Sequence, residues 1–509
     1  MNLREEIGQL ITVGGIIGGL GTDADTEPVM RAIADGEVGG VYLGYPHFRD
    51  PERALEMTAA LQKAAPRLLF CAADFETGPA YNCEGDAAHF PYLMGLGFVD
   101  DPALTAAAAE ITGRQALAMG INWVYSPCVD VNLSPDNPII GIRSFGETPE
   151  HVIRMGNAFI RGAQKAGVMC TAKHFPGTGN TAADTHVGLA RDLGDLKTWE
   201  EKTLPPFAEA IRAGVDSVMT GHASMPFLDP SDQPATFSRI ILTDILRGRM
   251  GFQGIVISDS LGMEGAAGEG VPERCLRAFE AGCDVLLTPW HPDIIPAFER
   301  AIERGWITHD QVRASVRRVL DAKERLSRLP HSRARVEDGV VAAEIGRRAA
   351  RVVRGRNRLP LRRESLAILT QWRNDEAQFF PREPGVLASL QHGLQLFAPS
   401  APLVPLTRDC PSSEYAAILA AIGNVRTVIL SAIVKNYAGD PHHGHLSEGT
   451  AGLVRTLAAS GREVVLVVLG SPYAAARVPE AAVALCTGGD TPGSVEGVLD
   501  LLLGPDGRA

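Results

Sequence analysis

Thr148–Lys173 reads TPEHVIRMGNAFIRGAQKAGVMCTAK and holds one helix and one strand in succession. Thr148 can cap a helix, Pro149 suits its first position, and Gly167 stands just past its end. Over Glu150–Lys165, Val152, Met155, Phe159 and Ala163 fall on one helical face. The run that follows, Val168–Lys173, is apolar and does not alternate with polar residues. A parallel strand covered on both faces has this character.

Seven more runs of this kind are Gln9–Gly14, Val38–Leu43, Arg67–Ala73, Ile121–Ser126, Val215–Thr220, Gly254–Ser258 and Cys283–Thr288. The segments between them mostly carry helical patterns. Eight strands alternating with helices over about 300 residues predict an α/β fold, a (β/α)8 TIM-like barrel spanning residues 1–328. A doubly wound open sheet is the competing topology, and the count of eight favours the barrel.

A basic helical stretch over roughly 296–328 closes the predicted barrel. Residues 329–345 begin LPHSRARVEDGVV, with Pro, Ser and mixed charge, and read as a linker. Beyond them Leu366–Trp372, Val425–Val434, Glu463–Leu469 and Ala482–Leu485 are strand-like runs with helices between. They predict a smaller C-terminal α/β sandwich domain over 346–509.

The chain of 509 residues is too long for one ordinary core, in keeping with two domains. Lys and Arg total 48 against 60 Asp and Glu, a net charge of −12. Such a surface repels phosphate backbones, so nucleic acid is not an expected partner. The start, MNLREEIGQLITVGG, lacks the features of a signal peptide, and no apolar run is long enough to span a bilayer. Eight scattered cysteines show no CxxC spacing. They read as reduced, buried residues of a cytoplasmic protein with no membrane partner.

In a barrel of this kind, reactive groups sit at the C-terminal ends of strands. Asp74 and Glu76 follow the third strand, and Asp130 and then Arg143 follow the fourth. Lys173 and His174 end the fifth, His222 follows the sixth and Asp259 the seventh. If the barrel closes, these ionisable groups converge, although single members can instead cap helices or pair with one another. Asp259 itself fits a nucleophile, a metal ligand or a helix N-cap. Lys173 also fits a Schiff-base lysine.

The long irregular stretch Lys173–Ala190, KHFPGTGNTAADTHVGLA, ends with Asp184 and His186 one residue apart. A carboxylate beside an imidazole fixes its tautomer and stabilises its protonated form. An imidazole can exchange a proton near neutral pH. On spacing alone an incidental D-x-H is the more ordinary reading.

Four segments in chain order resemble the signatures of family 3 glycoside hydrolases. They are Asp74-Phe75-Glu76-Thr77-Gly78, Asn137-Pro138-Ile139-Ile140-Gly141-Ile142-Arg143-Ser144-Phe145-Gly146, the Lys173–Gly177 run with Asp184-Thr185-His186, and the Ile257–Met263 run around Asp259. Within that family the D-T-H loop is similar to that of bacterial β-N-acetylglucosaminidases. The match runs over roughly residues 5–325. The resemblance implies a retaining exo-hydrolase that releases a terminal β-linked N-acetylhexosamine without a cofactor or metal, as in cell-wall recycling. It implies Asp259 as nucleophile and His186, assisted by Asp184, as acid/base. It also implies substrate binding by Asp74, Arg143, Lys173, His174, His222 and Met263. The expected partner is a small glycoside, such as an N-acetylglucosamine-containing oligosaccharide or muropeptide. Phosphorolysis of the same sugar and β-glucosidase activity are the nearest alternatives; a barrel lyase and a non-catalytic sugar-binding protein are more distant ones.

The chain departs from the family pattern at Gly177-Thr178-Gly179-Asn180, where G-H-G-D is usual. It also departs at Asn82, where an Arg is usual, and across Cys83–His89. Losing that cationic clamp bears on the sugar subsite. In the second domain Asp440-Pro441-His442-His443-Gly444-His445 has the composition of a metal cluster, but it lacks acidic or Cys partners at typical spacing. A polar turn is the plainer reading.

Overall fold

The computed structural model describes residues 1–14, 26–44, 50–81, 83, 87–266, 268–328, 337–371, 383–437, 442 and 444–504. They form two compact units. The first comprises Met1–Ala88, Pro102–Asn137 and Glu147–Asp338; the second comprises His89–Asp101, Pro138–Gly146 and Gly339–Ala509.

The first unit holds eight parallel strands: β1 (Ile11–Val13), β2 (Gly40–Tyr42), β3 (Phe70–Ala73), β4 (Trp123–Val124), β5 (Met169–Phe175), β6 (Ser217–Thr220), β7 (Ile255–Ile257) and β8 (Leu286–Thr288). From β1 to β7 each strand pairs with the next in sequence, and β8 pairs with β1. The last gap is bridged by Ile257 against Val285. An open doubly wound sheet has two free edges, so this closure excludes that topology. All eight apolar runs supply the eight strands, and the residues of β3 and β5 are buried throughout. Inside the barrel, Trp123 donates from Nε1 to Thr171 Oγ1 at 2.8 Å and packs edge-on against Phe70.

The helix before β5 runs Pro149–Ala166, buries Val152, Met155, Phe159 and Ala163, and ends at Gly167 with φ +95°. A side chain is disfavoured at that φ, which explains the glycine. Thr148 occupies the cap position with extended backbone, but its side chain makes no capping bond.

The second unit is a six-stranded sheet ordered β11-β10-β12-β13-β14-β9. Its strands are β9 (Arg351–Arg354), β10 (Leu366–Gln371), β11 (Leu403–Leu406), β12 (Thr427–Val434), β13 (Glu463–Gly470) and β14 (Val483–Cys486). All pairs are parallel except β9 with β14. Alternate residues of β12 enter two separate apolar clusters. Val428, Leu430 and Ala432 join one, and Ile429 and Ile433 the other. Both faces are therefore covered, as in a sandwich of helices about a sheet.

Two edge strands, β9 and β11, lie outside the predicted runs. RVVR alternates exposed with half-buried residues, and LVPL carries a proline, so neither has the signature of a buried strand. The predicted linker 329–345 also differs from the structure. Residues 329–336 lie outside the described set, and a helix, Glu337–Ala349, already runs through the rest. Asp338 is held by Arg114 and by Gln115 Nε2 at 3.2 Å, which orders this stretch.

Two pieces of the predicted 1–328 domain cluster with the second unit. Tyr92 N bonds Gly488 O at 3.0 Å. Asn436 Oδ1 accepts from Ile142 N at 3.2 Å, and its Nδ2 donates to Pro138 O at 3.3 Å. Among the described residues, no helix is long and apolar enough to cross a membrane.

Candidate active site

The ends of β3 and β5 meet through charge. Lys173 Nζ lies 2.7 Å from Asp74 Oδ1 and 2.7 Å from Glu76 Oε1. Lys173 and Glu76 are buried, while Asp74 keeps a quarter of its side chain exposed. The second oxygen of Asp74 accepts from the Tyr42 hydroxyl at 2.5 Å, and the Tyr42 ring stacks on Tyr125. An ammonium bonded to two carboxylates stays a cation. A Schiff-base lysine must be neutral, so this geometry disfavours the lyase reading. Asp74 emerges as a fixed, partly open acceptor suited to a hydroxyl group.

Asp130, fully buried beyond β4, organises the next residue of β5. Its Oδ2 accepts from His174 N at 2.9 Å and bonds His174 Nδ1 at 2.8 Å. Its Oδ1 accepts from Thr178 N at 2.6 Å. Burial works to raise the Asp130 pKa, but the bonds from His174, Thr178 and Cys128 outweigh it and hold the carboxyl below its ordinary value. A carboxylate on Nδ1 makes that nitrogen the donor, so Nε2 of His174 is turned away from Asp130. Cys128, Asp130 and His174 bring three potential metal-ligand atoms within 4.8 Å. Cys128 Sγ and His174 Nδ1 are already bonded to Asp130 Oδ2, so the trio supports the imidazole.

Asp259 follows β7. Its own Oδ1 accepts from Ser260 N at 2.7 Å. Burial pushes its pKa up, yet the charges of His174, His222 and His186, with the Ser260 N–H, hold it below the ordinary aspartate value. Those three histidines therefore lie close enough to interact electrostatically with Asp259. His222 itself has no exposed surface. Its Nδ1 meets Thr236 Oγ1 and its Nε2 meets Ser260 O, both at 2.9 Å. Burial lowers its pKa. Both ring nitrogens of His222 are thus occupied by protein groups.

The loop after β5 is pinned along its length. Asn137 Nδ2 donates to Thr178 O at 2.8 Å and Thr181 O at 3.0 Å. A Cβ on Gly179 would lie 1.8 Å from Val131 O, so only glycine passes there. The departures from the family pattern have local partners: Thr178 bonds Asp130, and Asn180 Nδ2 bonds Asp192 Oδ1 at 2.8 Å. At the loop's end, buried Asp184 turns Oδ1 to both the N–H and Nδ1 of His186, each at 2.8 Å. His186 is about one-third exposed, with Nε2 facing away from Asp184. Thr185 O accepts from Gly265 N at 2.9 Å, which docks this turn onto the segment beyond β7. A Cβ on Gly265 would lie 2.6 Å from Thr185 O.

Eight ionisable residues of the first unit, Asp74, Asp130, Lys173, His174, Asp184, His186, His222 and Asp259, thus follow or end strands on the barrel's C-terminal face. Met263 is half-buried in the turn after β7, its N bonded to Ser260 O at 3.0 Å. Arg143 lies in the second unit on the short helical turn Gly141–Arg143, half-buried, with Nη1 on Ile139 O at 3.1 Å. Tyr42, Thr220 and Thr236 escaped sequence reading because they are uncharged. Only a position at or beyond the end of a strand marks them. Asn82, Asp440, Pro441 and His443 lie outside the described residues. His442 Nε2 bonds Asp409 Oδ1 at 2.9 Å, and His445 is buried in the second unit.

Residues 2–322 match the family model described as Glycosyl hydrolase family 3 N terminal domain. The beta-hexosaminidase of Xylella fastidiosa (strain M23) is 38% identical over 287 residues, 55% of this chain and 84% of that protein. The structure of a glycoside hydrolase family 3 beta-N-acetylglucosaminidase from Paenibacillus sp. str. FPU-7 is similar at TM-score 0.86 and 27% identity, covering 98% of this chain and 96% of that one. A beta-N-acetylhexosaminidase from Beutenbergia cavernae DSM 12333 is similar at TM-score 0.56 and 30% identity, covering 64% of this chain and 99% of its own.

Proposed function

The chain belongs to glycosyl hydrolase family 3, and on that premise we propose that it is an exo-acting β-N-acetylhexosaminidase working through a covalent glycosyl-enzyme. The observation that carries this reading is the Asp184–His186 pair, docked through Gly265 onto the segment that follows Asp259. Most retaining enzymes use two carboxyl groups about 5–5.5 Å apart. Here the second carboxyl, Asp184, is buried behind an imidazole, and the imidazole faces outward.

In the first step Asp259 attacks the anomeric carbon while protonated His186 gives its Nε2 proton to the departing oxygen. The carbon–oxygen bond to the leaving group breaks and an ester to Asp259 forms. In the second step neutral His186 takes a proton from water, which attacks the same carbon and releases the sugar and Asp259. Asp184 accepts from Nδ1–H throughout and stabilises the imidazolium. The depressed Asp259 pKa keeps the nucleophile ionised across neutral pH. Asp74 supplies an acceptor, Lys173 a donor and His174 its Nε2 for sugar hydroxyls. Phosphate in place of water is a second reading. An imidazole acid/base repels an incoming anion less than a carboxylate does.

The test is release of p-nitrophenol from the β-N-acetylglucosaminide and the β-glucoside, with and without phosphate. The expected result is turnover of the N-acetyl substrate that Asp259→Asn lowers by more than about a thousandfold, as loss of a nucleophile does elsewhere. Acceleration by phosphate selects phosphorolysis. Preference for the glucoside, or undiminished activity in Asp259→Asn, overturns the proposal.

A further inference from the structure

Thr220, His222 and Thr236 have no exposed surface, so none of them touches a substrate. Their polar atoms nevertheless form a continuous path that begins and ends on the turn bearing Asp259. Asp259 N donates to Thr220 Oγ1 at 3.4 Å, and Thr220 Oγ1 lies 2.7 Å from Thr236 Oγ1. Thr236 Oγ1 lies 2.9 Å from His222 Nδ1, and His222 Nε2 lies 2.9 Å from Ser260 O.

Proton accounting gives this path a direction. Ser260 O only accepts, so Nε2 carries a hydrogen. Gly221 O also only accepts, so Thr236 donates to it at 2.9 Å and takes the proton of Thr220, whose own acceptor the Asp259 N–H fills. Nδ1 of His222 meets the same Thr236 oxygen at 2.9 Å. The ring thus holds the N–H on one side of Asp259 and the C=O of the residue after it.

His222 also underlies the other half of the site. A Cβ on Gly265 would lie 3.1 Å from His222 Cβ and 2.6 Å from Thr185 O, so the His186 turn and His222 press on the same glycine. We propose that Thr220, Thr236 and His222 are positioning residues that aim the Asp259 carboxylate from behind. This inference rests on the reading of Asp259 as the nucleophile.

Thr236→Val and Thr220→Val remove the hydroxyls at nearly constant volume, and Thr236→Ser and Thr220→Ser restore them. With p-nitrophenyl β-N-acetylglucosaminide, each Val variant is expected to lose about 10- to 100-fold in kcat. KM should stay within about threefold, because substrate contacts are intact. The Ser variants should recover most of the rate, and melting temperatures should not follow kcat. Val variants that keep the parental kcat overturn the proposal. So do Ser variants as damaged as the Val ones, or losses of kcat that track the melting temperature, since packing alone then accounts for the effect. Parent and Asp259→Asn are run beside them. If Asp259→Asn is as active as the parent, the nucleophile assignment fails. If it is inactive and the Val variants are unaffected, only this inference fails.

Discussion

Two carboxylates in the site do comparable work for two imidazoles. Asp130 bonds the N–H and Nδ1 of His174, and Asp184 bonds the N–H and Nδ1 of His186. The difference lies in surroundings: His174 is buried, whereas His186 reaches solvent. Only His186 therefore has the access that proton exchange with water and a departing alcohol requires. Asp184→Asn keeps the shape but removes the charge behind the imidazolium. It is expected to lower kcat on an alkyl glycoside by about 10²–10⁴-fold, by analogy with a triad aspartate. A dinitrophenyl glycoside, whose leaving group needs no proton, should lose far less in the glycosylation step. Equal losses on both substrates would show that Asp184 only holds the loop.

The elements that frame this site were legible because burial dictated their composition. Strands covered on both faces must be apolar throughout, so β1 to β8 each stood out as a run. The edge strands β9 and β11 did not, since an edge tolerates arginine and proline. The site was legible where its groups are charged and at strand ends. It was illegible where neutral hydroxyls such as Thr220 and Thr236 complete a network across 16 residues of sequence. The charge at the barrel's other end follows the same logic. Lys323, on the helix His309–Ser327, is buried and donates to Gln9 Oε1 at 2.8 Å and Gly39 O at 2.7 Å. Burial pulls its pKa from 10.5 down to about 7. The folded value lies below the unfolded one, so above about pH 7 the unfolded chain binds the extra proton. Stability from this group therefore rises with pH, by up to about 1.4 kcal/mol per unit. Buried thiols such as Cys71, raised from 9.0 to about 12, act oppositely once unfolded thiols ionise. Denaturant unfolding between about pH 7 and pH 8.5 should show the parent gaining stability relative to Lys323→Met. A constant difference between the two across that range would mean that Lys323 is charged in the fold.

At the scale of the whole molecule, chain order and compact units do not coincide. His89–Asp101 and Pro138–Gly146 leave the barrel sequence and cluster with Gly339–Ala509. The second of these is clamped by one side chain. Asn436 bonds Ile142 N and Pro138 O, and a Cβ on Gly141, at φ +40°, would lie 2.1 Å from Asn436 Oδ1. The solved relative from Beutenbergia cavernae is matched over 99% of its own length by 64% of this chain. In this chain the turn carrying Arg143 is bonded to residue 436 as well as within itself. A fragment ending at Asp338 lacks that residue, and its Ile142 N–H and Pro138 C=O lose their partner. Two such bonds are worth roughly 1–3 kcal/mol, and proteolysis follows the population of the opened segment. Trypsin should then cut the 1–338 fragment after Arg143 at least about tenfold faster than it cuts the full chain there. The full-length Asn436→Ala variant should fall between the two, because the rest of the second unit is still present. If fragment and full chain are cut at equal rates, the turn is held by its own residues, such as Arg143 on Ile139 O, and Asn436 is dispensable to it.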